Sequence, residues 1–172
     1  MEFNIWFGVI AGFVGTIGMT LAMNMGTKMG MTNMPPMPLI QGAMMTDDPD
    51  TAKRIGMFTH VIVMGTIVFG TIYALLFAAF ATASWLAGLV IGLVHGLVAG
   101  GMAFPMMGSM HPRMEGAATF TGETTWRALP GDLRIAEPGF FGVNYGGGTA
   151  VGLLMGHAIY GVLVALVYAA LL

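Results

Sequence analysis

Residues 55–112 read IGMFTHVIVM GTIVFGTIYA LLFAAFATAS WLAGLVIGLV HGLVAGGMAF PMMGSMHP, 58 residues without a single Asp, Glu, Lys or Arg. A bilayer core takes about 20 apolar residues per helix, so this tract holds two membrane-crossing helices back to back. The uncharged turn between them, near Ala79 to Ser84, contains neither Pro nor Gly, which predicts a tight antiparallel pair. Working outward, residues 3–27 and 138–172 are also free of charged side chains and are each long enough for one more helix. The predicted spans are 5–26, 57–79, 84–106 and 149–171, within one domain covering 1–172. The expected fold class is an all-α integral membrane protein with four transmembrane helices.

Composition agrees with that reading. Only 8% of the 172 residues are charged and 56% are hydrophobic, too few charges to clothe a water-soluble surface. A net charge of −2 with no basic patch excludes nucleic acid as a partner, and the absence of Cys excludes a disulfide-stapled secreted fold. The first span is not read as a cleaved signal: Glu2 replaces the usual basic start and the apolar stretch is too long.

All six Lys and Arg fall in the connections 27–56 and 107–148. With four spans these loops share one side, and the positive-inside rule places them in the cytoplasm with both termini outside. Trp6 and Trp85 then mark the outer interface.

Helices one and three look related. Gly18-Met19-x-x-x-Met23 is echoed by Gly101-Met102-x-x-x-Met106, while helices two and four carry His60 and His157 and the pairs Tyr73-Ala74 and Tyr168-Ala169. The expected arrangement is two helical hairpins of parallel orientation, an internal duplication. Gly88, Gly92, Gly96 and Gly100 recur every fourth residue, a small-residue stripe that lets helix backbones approach, and Gly8/Gly12 and Gly152/Gly156 repeat the spacing.

Within the first loop, Pro35-Pro36 and Pro38 oppose helix, whereas Thr46-Asp47-Asp48-Pro49-Asp50 reads as a helix start with carboxylates at the positive dipole end. The second loop carries Glu115, Glu123, Arg127, Asp132, Arg134 and Glu137 without the spacing of an acid/base pair or a nucleophilic triad, so no enzymatic activity is expected. Its Trp126, Phe140, Phe141 and Tyr145 are candidates for contact with a partner, and Gly146-Gly147-Gly148 is read as a hinge into helix four.

The spans predicted here contain His60, His95 and His157, and 18 methionines are spread over the chain. Imidazole and thioether without thiolate suit Cu(I) or haem iron. His60, His95 and His157, with Met19, Met23, Met102 and Met106, are therefore the candidate metal ligands, copper or haem being the candidate cofactor. Methionine also fills gaps in a glycine-rich bundle without binding anything. The leading expectation is accordingly a non-enzymatic accessory or packing subunit of a larger membrane assembly, whose partners are the lipid bilayer and other membrane subunits or further copies of itself.

Thr59-His60, Phe104-Pro105-Met106-Met107-Gly108 and Gly156-His157 resemble segments of the YagU-like inner-membrane proteins and related small four-helix bacterial families. The resemblance covers about residues 59–161. It implies a helical bundle in a bacterial cytoplasmic membrane and brings no catalytic residues with it. The long second loop and the abundance of methionine depart from that pattern.

Overall fold

The computed structural model describes residues 2–120, 124–129 and 131–172. Glu123, noted above among the loop charges, lies outside the described residues. Among the described residues, four helices are long and apolar enough to cross a membrane: α1 (Ile5–Lys28), α3 (Pro49–Ala79), α4 (Trp85–Met110) and α5 (Thr149–Leu171); a short helix α2 (Met37–Ala43) precedes α3. Local chemistry sets their starts. Asn4 Oδ1 accepts from the backbone N–H groups of Trp6 and Phe7 at 3.0 and 3.3 Å, Asp48 Oδ1 from that of Thr51 at 2.8 Å, and Ser84 Oγ from that of Ala87 at 3.2 Å. Each cap satisfies an amide that has no intrahelical acceptor. The tight connection between α3 and α4 turns on Ala81, whose φ of 53° is left-handed.

Two of the long helices are not α-helical throughout. Phe58–Phe69 in α3 and Ala99–Ala103 in α4 are π-helical, with each backbone bond reaching one residue further than in an α-helix. The hydroxyl of Thr66 follows the wider register, donating to the Val61 carbonyl at 2.7 Å.

The chain's contacts fall into two compact units. The first comprises Met1–Met23, Val61–Gly96 and Leu154–Leu172; the second comprises Asn24–His60 and Leu97–Leu153.

The first unit is built from close helix approaches. A methyl group at Gly8 would meet the Gly70 carbonyl oxygen at 2.6 Å, and one at Gly12 would meet that of Gly65 at 2.7 Å, so α1 and α3 touch backbone to backbone. On α4, Gly88 faces Gly161 and Gly92 faces the His157 carbonyl. Gly88, Gly92 and Gly96 are buried within the chain. Around these contacts pack Ala11, Tyr73, Ala74, Phe77, Tyr160, Val164, Ala165 and Tyr168. Large apolar side chains point away from this core, including Trp6, Ile10, Phe13, Ile17 and Leu21 on α1 and Trp85, Leu86, Val90, Leu93 and Val94 on α4.

The second unit contains structure that the helical pattern does not foretell. A small sheet of order β1-β3-β2 forms from β1 (Met114–Glu115), β2 (Trp126–Leu129) and β3 (Asp132–Ala136). β1 runs parallel to β3, and β2 runs antiparallel to it with Trp126 opposite Ile135 and Leu129 opposite Asp132. Leu133 and Ile135 alternate inward onto Leu39, Ile40, Ala43, Ala52, Phe104 and Tyr145. The helix α2 lies against the first turns of α3, with Gly42 facing Ala52 and Gly56 facing Pro38 so closely that neither glycine has room for a side chain. Gly100, the last member of the stripe, receives the ring of Phe141 and the side chain of Leu153.

Candidate functional site

Within the first unit, three helices converge on a group of rings. α3 supplies Phe69 and Tyr73, α4 supplies His95, and α5 supplies His157 and Tyr160. The imidazoles of His95 and His157 meet edge to face, with ring centroids 4.5 Å apart. Phe69 covers His95 at 4.1 Å, and Tyr73 and Tyr160 complete its surroundings at 6.0 and 6.1 Å. Tyr73 Oη lies 3.4 Å from His95 Nδ1, while Tyr160 Oη donates to the Gly65 carbonyl at 2.7 Å. That last bond ties α5 to the π-helical stretch of α3.

Glycine explains the approach of the two histidines. Gly92 lies against the backbone at His157, and Gly96 against its side chain, where an added methyl group would lie 3.2 Å from the His157 Cβ. On the neighbouring position of α5, Gly156 leaves space that two methionines of α1 enter. A methyl group there would lie 2.9 Å from the Met23 sulfur and 3.5 Å from the terminal carbon of Met19. Of the seven predicted ligands, His95 and His157 therefore meet, and Met19 and Met23 lie against Gly156, the residue before His157, within the first unit.

The other three belong to the second unit. His60 sits in the π-helical stretch with Nδ1 at 3.4 Å from the Gln41 side-chain nitrogen, an arrangement made by α2 folding onto α3. Met102 and Met106 are 60% and 54% exposed on the outer face of α4. Among the described residues, no three His, Cys, Asp or Glu side chains are grouped as a metal site.

The fourth histidine carries a role that spacing did not announce. His111 is buried where α4 ends, and its Nε2 donates to the Ile40 carbonyl of α2 at 2.9 Å while its Nδ1 accepts from the Arg113 amide at 3.1 Å. This network assigns the neutral imidazole with its proton on Nε2. Burial pushes the His111 pKa below the ordinary histidine range, with the Arg113 charge acting in the same direction and the bond to Ile40 opposing it. Arg113 reaches the Ala43 carbonyl beside it. Together these two residues clamp α2 through its unsatisfied C-terminal carbonyls. The sequence signal was Pro112, which ends α4 and turns His111 into extended backbone.

The loop aromatics are mostly used internally. Tyr145 is 1% exposed and donates to the Ala136 carbonyl at 2.7 Å; burial raises its pKa. Phe141, at a left-handed φ of 53°, packs on Gly100, and Trp126 is partly buried in the sheet, leaving Phe140 as the exposed ring at 61%. An open cleft of about 220 Å³ is lined by Asp47, Pro112, Arg113, Gly131, Asp132, Leu133 and Arg134. Two of its charged residues are paired: Arg134 with Glu115 and Asp132, each at 3.3 Å, and Asp132 with Arg127 at 2.9 Å.

Neither a protein-family model, nor a curated protein, nor a solved structure matches this chain.

Proposed function

We propose that the chain is a non-enzymatic multi-pass membrane protein that acts as a small packing subunit of a larger membrane assembly. The observation that supports this is the division of labour on α4. Its glycine face is consumed by α5, while Leu86, Val90, Leu93 and Val94 form an outer face of large apolar side chains suited to lipid and to a neighbouring helix. Membrane helices gain little by exchanging lipid for another apolar surface, so such a subunit associates through shape-matched van der Waals contact.

The expected arrangement in the bilayer is two parallel hairpins, with the loops around α2 and the small sheet in the cytoplasm and both termini outside. The basic residues of those loops favour this orientation, and a bacterial inner membrane is the compartment that the short-motif resemblance favours. Extraction from native membranes in a mild detergent, followed by mass determination, tests the subunit reading. A particle larger than one chain that shrinks when Val90 and Val94 are both changed to Ala is expected. A monodisperse single chain, unaffected by those changes, refutes it.

A further inference from the structure

The His95–His157 pair is costly to place in an apolar bundle, and an ionisable side chain inside such a bundle is by default a candidate functional site. Three features around it specify a ligand. The donors are imidazole nitrogens, with the thioethers of Met19 and Met23 lying against Gly156, the residue before His157. Nitrogen and thioether donors without thiolate or carboxylate favour a soft ion. The stretches 3–27, 55–112 and 138–172 supply no anionic side chain, so a bound divalent ion would remain uncompensated in a low dielectric, whereas a single positive charge is tolerated. The faces of Phe69, Tyr73 and Tyr160 around His95 add the attraction of aromatic rings for a cation.

From this arrangement we infer that His95 and His157, with Met19 and Met23 at the adjacent Gly156, form a binding site for Cu(I) inside the first unit. With centroids 4.5 Å apart and a metal–nitrogen distance of about 2.0 Å, the two rings are close enough for one nitrogen of each to reach a shared ion, with sulfur as a further ligand. A porphyrin between these two rings is excluded by their direct contact, so the bis-histidine form of the haem reading does not fit. Tyr73 has a positioning role. When His95 donates its Nδ1 proton to the Tyr73 hydroxyl, Nε2 is left with the lone pair that a metal needs. Gly156 is the second requirement, because any side chain there would displace the Met23 sulfur.

The test uses the full-length protein in mild detergent, titrated anaerobically with Cu(I) against a chromogenic Cu(I) chelator, together with copper X-ray absorption on the loaded wild type. One tightly held Cu(I) per chain with mixed nitrogen and sulfur ligation is expected. His95→Ala and His157→Ala should each weaken binding by more than tenfold, and Tyr73→Phe by about tenfold, the usual loss when a ligand's orienting partner is removed. Met23→Leu should reduce the sulfur signal, and Met102→Leu/Met106→Leu should leave affinity unchanged. No retained copper, sulfur-only ligation in the wild type, or equal retention by a folded His95→Ala/His157→Ala variant would each overturn the inference. The absorption measurement on the wild type decides the matter even if a histidine variant does not fold.

Discussion

His111 shows how one side chain can hold a loop in place. Its neutral form donates to Ile40 and accepts from Arg113, and adding a proton to Nδ1 would set two N–H groups against each other. Because its folded pKa is depressed, the unfolded chain takes up that proton first as pH falls. The stability it confers is complete above the ordinary histidine value of 6.5 and declines as pH drops from there toward the lower folded pKa. Thermal melting in detergent between pH 8 and pH 5 should show a falling midpoint for the wild type. A His111→Gln variant should melt lower at pH 8 and show a flatter pH response; an equally steep response would assign the effect elsewhere. Tyr160 makes a comparable single contact on α5. Tyr160→Phe removes the bond to the Gly65 carbonyl, and hydrogen bonds between membrane helices average about 0.6 kcal/mol with a maximum near 1.7. A loss in that range is expected from reversible unfolding in detergent, and no loss would mean that the π-helical carbonyl finds another donor.

At the scale of elements, equal glycine spacing conceals unequal roles. Gly12 sits where a methyl group would lie 2.7 Å from the Gly65 carbonyl oxygen and 2.8 Å from the Gly70 Cα, both backbone atoms that cannot step aside. Gly12→Ala must therefore push α1 from α3, an overpacking cost of about 1–3 kcal/mol. Gly152, in α5, has nothing within 4 Å of the same added group, so Gly152→Ala should be neutral or stabilising by up to about 1 kcal/mol through helix propensity. Opposite signs in paired melting curves are the expected result; equal losses would contradict the packing described for α1. The same reasoning changes what the α4 stripe tests. Gly92→Leu would collide with the His157 carbonyl within the chain and so should prevent folding, rather than release a partner as an exposed glycine face would have implied. The π-helical stretches were not legible either. Phe58–Phe69 reads as an ordinary apolar helix, and the register change shows only once Thr66 and Tyr160 are seen on its carbonyls. The sheet had a signal, Leu129-Pro130-Gly131-Asp132 between two short alternating runs, but four or five residues of alternation carry little weight beside long helical tracts.

For the molecule as a whole, the absence of native cysteine allows the proposed orientation to be read from single introduced thiols. Ser84→Cys, in the turn before α4, should react in intact cells with a membrane-impermeant reagent. Thr46→Cys and Ser109→Cys, at the edges of the two long connections, should react only after permeabilisation. Reaction of all three in intact cells, or the reverse pattern, would reject the hairpin orientation.

The distribution of charge by itself determined the four long apolar helices and their approximate limits, because burying a charge in hydrocarbon costs more than any local preference can offset. It also placed the start of α3 at Asp48-Pro49, where a side-chain acceptor and a ring-constrained φ act within a single turn. Only the tertiary structure decided which glycines are occupied, which aromatics are hidden and which histidines meet. His95 lies on α4 and His157 on α5, 62 residues apart in sequence. Their contact depends on how far each helix is rotated, which is set by the backbone approaches at Gly88 and Gly92 and by the π-helical shift in α3. An apolar tract exposes its spacing to a reader, but not its azimuth, since nearly every side of such a helix is acceptable to lipid.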